Sequence, residues 1–226
     1  RSEEQLIEDA AKAAADADVV LFFGGLNKDH HQDSESCDRI AYGLPYNQDN
    51  VIEALAAANP NLAVCIISGN AVAMPWAAQV PAIVECWYCG SQAGNSIADV
   101  VFGKVNPSGK LPFTFPVKIE DSPAHALDAY TCGPDVKYKE SIYVGYRWFD
   151  TKEIKPLFAF GHGLSYTEFE YSDFKASSSI SANGTLKASV KVKNIGSREG
   201  KEVVQLYIGE QSPVLDRPAK ELKAFE

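Results

Sequence analysis

Two hydrophobic patterns alternate over the first half of the chain. Three segments carry apolar residues at the three- and four-residue spacing of an amphipathic helix, and three others are short, continuous apolar runs. Continuous runs of this length are typical of strands buried on both faces of a parallel sheet. The predicted order is helix 3–16, strand 18–25, helix 47–59, strand 62–68, strand 82–87 and helix 92–102. This alternation predicts an α/β fold, a mostly parallel sheet with helices on both faces.

The pattern changes after about residue 105. Residues 118–165 are rich in Gly, Pro and aromatic side chains and show no clear helical period, so we expect an ordered connector in which the aromatic rings are buried. From Tyr166 onward apolar and polar residues alternate, as in half-exposed strands. A β-sandwich of this kind needs about 100 residues, and far fewer remain, so we expect a partial one. The predicted domains are 1–117 (α/β), 118–165 (connector) and 166–226 (partial β-sandwich).

Composition excludes several function classes. The formal net charge is −9 with Lys and Arg scattered, which disfavours nucleic acid as a partner. No apolar run approaches the roughly 18 residues of a membrane-spanning helix. Five cysteines are too few, and odd in number, for a disulfide scaffold, and the Cys86–Cys89 pair has no second pair of metal ligands nearby. We therefore expect structural thiols, no metal and no cofactor.

One polar segment follows the first predicted strand, where ligands bind in open parallel sheets. Residues 26–39 combine four acidic residues with Lys28, His30, His31 and Arg39. Three interpretations stay open: a solvated charged loop, a metal site, or a general acid/base carboxyl whose pKa is raised by its neighbours. Adjacent histidines point apart in extended backbone, which disfavours the metal site.

Several motifs then occur in a recognisable order. They are SESCDR at 34–39, GLPYNQ at 43–48, MPW at 74–76, CWYCGSQAGNSIADV at 86–100, NPSGKLP at 106–112, YVGYRWF at 143–149, FAFGHGLSY at 158–166 and GKEVVQLY at 200–207. Together they resemble the C-terminal half of glycoside hydrolase family 3, the β-glucosidase and β-xylosidase group. The last motif resembles the start of that family's fibronectin type III-like domain.

The resemblance implies an active site shared by two domains. A preceding (β/α)8 barrel, which is absent from these 226 residues, would carry the catalytic Asp nucleophile, and the α/β domain would lend the general acid/base. The matching position is Glu35, which we expect to be partly exposed because the barrel that would cover it is not in this chain. Ser36 stands where the family usually has Gly, and Cys37 where Tyr is common. We expect Asp38 and Arg39 to form a structural ion pair.

The implied function is the C-terminal part of a retaining, exo-acting β-glycosidase that hydrolyses terminal β-D-glucosyl residues. A secreted or periplasmic location is expected, with a β-linked oligosaccharide or an aryl glycoside as substrate. Lys28, His30 and His31 are candidates for the aglycone side of the site. Two alternatives stay open: a β-xylosidase or arabinosidase of the same family, and a non-catalytic carbohydrate-binding or scaffold module.

Overall fold

The first half of the chain contains three parallel strands. The computed structural model describes residues 1–29, 31–130, 134–181 and 183–226. The three strands are β1 (Val20–Gly25), β2 (Leu62–Ile67) and β3 (Ala82–Glu85), arranged in the order β1-β2-β3. The central strand is the most buried, since both of its edges are paired. The continuous apolar runs thus form a parallel sheet, and the predicted α/β class is confirmed.

Three longer helices accompany the sheet: α1 (Glu3–Ala15), α2 (Gln48–Ala58) and α3 (Ala93–Val101). Ser2 and Gln5 form a capping box at the start of α1, which satisfies backbone N–H groups that the first turn leaves unpaired. α1 packs against α2. The buried Asn59 side chain donates to the carbonyls of Ala14 at 2.8 Å and Ala17 at 2.7 Å, so the end of α2 is fastened to the end of α1.

The main core includes residues of the sheet and of helices α1 and α2. Its fully buried side chains are Ile52, Leu62, Val64, Cys65, Ile66, Val72, Trp76 and Phe115. Removing each large apolar side chain from water stabilises the fold by about 1.5–3 kcal/mol. The Trp76 ring is buried and its Nε1 donates to Asp49 at 2.8 Å, and Trp148 is also buried, so both tryptophans are packing anchors here.

The second half is built from short elements. The connector contains α4 (Pro123–Ala126) and α5 (Tyr146–Thr151), which are too short to show a helical period in the sequence. Two antiparallel pairs follow, first β4 (Phe169–Ala176) with β5 (Ala188–Asn194), then β6 (Gln205–Ile208) with β7 (Glu221–Phe225). The Tyr146 ring stacks on Phe160 with centroids 4.8 Å apart, which ties α5 to the segment before the strands.

A glycine at the end of β1 lets the chain leave the sheet. Gly25 has φ +138°, and a Cβ there would lie 2.0 Å from the Ile67 carbonyl oxygen. We expect Gly25→Ala to lower the free energy of unfolding by about 2–4 kcal/mol. Gly94→Ala in α3 is the matched control: its added Cβ meets no atom within 4 Å, so a gain of about 0.5–1 kcal/mol is expected. Urea unfolding measures both, and changes of the same sign would contradict the assignment.

Candidate active site

The polar loop after β1 lies at the edge of the sheet where the strands end. Residues 26–47 connect β1 to α2, and we call them the β1–α2 loop. At its start, the Leu26 N–H donates to the Ile67 carbonyl at 2.8 Å. At its end, the Gln48 side chain accepts from the Gly25 N–H at 2.8 Å and donates to the Gly25 carbonyl at 2.9 Å. Both ends of the loop are therefore held at the carboxyl ends of β1 and β2.

Glu35 stands at the tip of a tight turn in this loop. Ser34 and Cys37 form an isolated antiparallel bridge, and Glu35 and Ser36 are the two residues between them; we call residues 34–37 the Glu35 hairpin. Ser36 has φ +64°, in the left-handed region that favours glycine. The serine thus adopts a backbone conformation suited to the glycine that it replaces in the family motif. The Glu35 side chain is exposed, as expected.

Asp33 anchors the loop immediately before the hairpin. Its Oδ2 accepts hydrogen bonds from the Gly69 N–H at 3.0 Å and from the Tyr88 hydroxyl, and its Oδ1 accepts from the Asn70 amide at 3.2 Å. Gly69 and Asn70 follow β2, and Tyr88 follows β3. Burial, and then the neighbouring Asp33 carboxylate, raise the pKa of Tyr88, so at neutral pH this phenol keeps the proton that it donates.

Arg39 anchors the loop on the other side of the hairpin. Its guanidinium donates to the Asn70 side-chain oxygen and to the carbonyls of Ala71 and Tyr42, both at 2.9 Å. The prediction that Asp38 and Arg39 form an ion pair is wrong. None of the ion pairs among the described residues joins these two side chains. Asp38 instead accepts a hydrogen bond from the Tyr130 hydroxyl at 2.9 Å. The two neighbouring side chains therefore have separate partners.

The remaining predicted site residues belong to the same loop. His31 is exposed and lies beside the hairpin, with its Nδ1 3.1 Å from both the Cys37 sulfur and the Asp38 carbonyl oxygen. Lys28 is also exposed. His30 lies outside the described residues. A substrate-binding role for Lys28, His30 and His31 stays a prediction.

Two further observations concern other kinds of site. Within the described ranges, no group of three or more His, Cys, Asp or Glu side chains is placed to hold a metal ion, and no helix there is both long and apolar enough to cross a membrane. A small cavity of about 50 Å³ is lined by residues that include Tyr146, Phe160 and Tyr207, none of them from the β1–α2 loop. The Glu35 hairpin therefore does not line that cavity, and Glu35 is exposed.

Sequence reasoning missed Glu85, which ends β3. Its carboxyl group accepts from the Trp87 N–H at 3.1 Å and lies 3.3 Å from the Ser68 hydroxyl, which donates to the Asn70 carbonyl at 2.8 Å. Burial raises the pKa of Glu85 to about 7. The signal in the sequence was a single carboxylate inside the apolar run AIVECW at 82–87.

The fold and the loop identify the class of the protein. A parallel α/β domain carries an exposed carboxyl group on a braced loop at the strand ends, and residues 2–166 match the glycosyl hydrolase family 3 C-terminal domain. The chain belongs to this family.

Similar proteins agree with this assignment. The chain is 51% identical over 226 residues to a β-glucosidase of Bacteroides ovatus, covering 98% of this chain and 30% of that protein. It is 47% identical to thermostable β-glucosidase B of Acetivibrio thermocellus, covering 99% and 29%. The structure of a Kluyveromyces marxianus β-glucosidase in complex with glucose superposes with a TM-score of 0.89 at 38% identity, covering 100% of this chain and 27% of that one. The chain thus spans about 30% of the length of these relatives.

The raised pKa of Glu85 has a consequence for stability. Because the folded state holds this proton up to about pH 7 and the unfolded chain releases it near its ordinary pKa, the free energy of unfolding falls as pH rises between these values. The loss is on the order of 3 kcal/mol and is complete above the folded pKa.

We expect Glu85→Gln to remove this dependence. The amide keeps an acceptor for Trp87 and a donor for Ser68, so the variant should gain stability over the wild type at pH 8 and little at pH 4. Glu199→Gln, at an exposed site, is the control and should show no such gain. Urea unfolding across this pH range measures the difference, and parallel curves for wild type and Glu85→Gln would refute the assignment.

Proposed function

We propose that this chain is the C-terminal part of a retaining, exo-acting β-glycosidase that hydrolyses terminal β-D-glucosyl residues, and that Glu35 is its general acid/base. The observation that carries the proposal is the position of Glu35: an exposed carboxyl group at the tip of a hairpin, at the edge where the strands end. Membership of glycoside hydrolase family 3 and the β-glucosidase names of its relatives support the reaction class.

The exposure of Glu35 fits a site completed by another domain. A general acid must approach the glycosidic oxygen to hydrogen-bond distance, so it has to project from its own domain. Its loop is nevertheless held on both sides, by Asp33 and by Arg39. An exposed side chain on a fixed backbone is suited to delivering a proton to a substrate bound elsewhere.

The mechanism has two steps. A carboxylate of the barrel domain attacks the anomeric carbon while protonated Glu35 gives its proton to the departing oxygen, so the glycosidic bond breaks and a glycosyl-enzyme forms. Glu35 then takes a proton from water, whose oxygen attacks the same carbon and releases the sugar and the barrel carboxylate. In retaining enzymes the two carboxyl groups lie about 5–5.5 Å apart.

Lys28, His30 and His31 are proposed to line the aglycone side, since they share the loop with Glu35. Their polar groups suit the hydroxyls of a β-linked oligosaccharide. Comparing glucoside and xyloside turnover by the full-length protein distinguishes the β-glucosidase from its xylosidase and arabinosidase alternatives.

Replacing Glu35 tests the assignment directly. In the full-length protein, Glu35→Ala should lower kcat/KM for phenyl β-glucoside by about 10²–10⁴-fold, because a poor leaving group needs the proton. Dinitrophenyl β-glucoside, whose leaving group departs without protonation, should be cleaved at a much smaller loss. Azide should restore turnover of the activated substrate by attacking the glycosyl-enzyme that water, without its base, hydrolyses slowly.

A matched control is Glu199→Ala, which removes an exposed carboxyl group elsewhere on the chain and should change neither rate. Equal losses for both substrates with Glu35→Ala, and no response to azide, would reassign the acid to another residue. No glycoside hydrolysis by the full-length wild type would favour the non-catalytic module.

The division of the site between domains makes a second prediction. Residues 1–226 alone should not hydrolyse aryl β-glucosides, because the nucleophile and the sugar-binding surface are proposed to lie on the barrel. Assay of the purified chain against the same chain with Glu35→Ala measures this. Turnover that depends on Glu35 in the isolated chain would show that the site is complete without the barrel.

A further inference from the structure

Asp33, two positions before Glu35, accepts hydrogen bonds from three other residues. Asp33 accepts from Gly69 at 3.0 Å, from Asn70 at 3.2 Å and from Tyr88. These donors come from the segments that follow two different strands. Hydrogen bonds to an ionised carboxylate are stronger than neutral ones, so Asp33 fastens the loop to the ends of β2 and β3 together.

The distance along the chain makes this anchor relevant to Glu35. Two residues of extended backbone span at most about 7 Å, so fixing Asp33 confines the hairpin tip to a small volume. The other end of the hairpin is confined by Arg39, which donates to the same Asn70 side chain that donates to Asp33. Asn70 therefore connects the residues on both sides of the hairpin.

An independent feature of the sequence permits this contact. Gly69 lies close to Asp33 and Tyr88. A Cβ added at Gly69 would be 3.2 Å from Asp33 Oδ2 and 2.9 Å from the Tyr88 ring. Any larger residue at position 69 would push the carboxylate or the ring away. The absence of a side chain thus allows Asp33 to reach the backbone N–H.

We propose that Asp33 is a positioning residue for Glu35, holding the hairpin so that the acid reaches the glycosidic oxygen. This inference rests on the proposed role of Glu35. It assigns Asp33 no proton transfer, because its oxygens are engaged by donors within this chain. A displacement of about 1 Å in a catalytic group can cost about 10²-fold in rate, so loss of the anchor should be visible in kinetics.

The test is the leaving-group dependence of Asp33→Ala in the full-length protein. Its kcat/KM for phenyl β-glucoside should fall about 10–100-fold, and for dinitrophenyl β-glucoside by less than about 3-fold. Tyr88→Phe keeps the ring and removes one donor, so it should show a smaller loss with the same preference. Asp173→Asn removes a carboxylate on β4, paired with Lys191 at 3.2 Å, and as the charge control should leave both rates unchanged.

A double variant separates positioning from a purely structural role. If Asp33 acts through Glu35, adding Asp33→Ala to Glu35→Ala should lower the rate no further, whereas independent effects multiply. Equal loss with both substrates, or multiplying effects, would overturn the proposal. If Asp33→Ala does not fold, Tyr88→Phe alone decides by its leaving-group preference.

Failure of this proposal differs from failure of the proposed function. A leaving-group effect for Glu35→Ala without one for Asp33→Ala and Tyr88→Phe would overturn only the positioning role. No leaving-group effect for Glu35→Ala would overturn the proposed function, and the positioning role with it.

Discussion

The hydrogen bonds that Asn70 makes to Asp33 and Arg39 hold the Glu35 hairpin at the edge of the sheet. They exist because parallel strands end at the same edge, which brings the residues after β2 beside the loop after β1. The buried apolar strands fix where that edge lies, and the polar residues that follow them fix the loop. The continuous apolar runs form the sheet, and the sheet in turn determines where the Glu35 carboxyl group lies.

The domain presents this carboxyl group outward and does not enclose it. Glu35 and His31 are both exposed, and the small cavity in the second half of the chain is lined by other residues. An exposed side chain on a loop that is hydrogen-bonded on both sides suits a site that two domains complete together. In the proposed mechanism this domain supplies the proton carrier and the aglycone side of the site, and the barrel binds the terminal glucosyl residue.

Sequence reasoning predicted the elements that have a local hydrophobic signal and missed contacts between distant segments. Continuous apolar runs located all three parallel strands, and family motifs located Glu35. The sequence did not show that Asp33 meets Gly69, because that contact depends on strand register and on space left by a missing side chain. The Asp38–Arg39 expectation failed because each side chain has partners that are distant in sequence, Tyr130 for Asp38 and the segment after β2 for Arg39. Sequence reasoning placed Glu85 in a strand but did not predict its raised pKa. The pKa of a carboxyl group depends on its burial and its hydrogen-bond partners, which a sequence motif does not show.

The most direct measurement is a crystal structure of the full-length protein with an uncleavable β-thioglucoside. We predict a Glu35 oxygen within about 3 Å of the sulfur that replaces the glycosidic oxygen, with a barrel carboxylate about 5–5.5 Å from the Glu35 carboxyl group. We also predict that Asp33 still accepts from Gly69 in that complex. A Glu35 side chain directed away from the ligand, with another acid at the sulfur, would contradict the account.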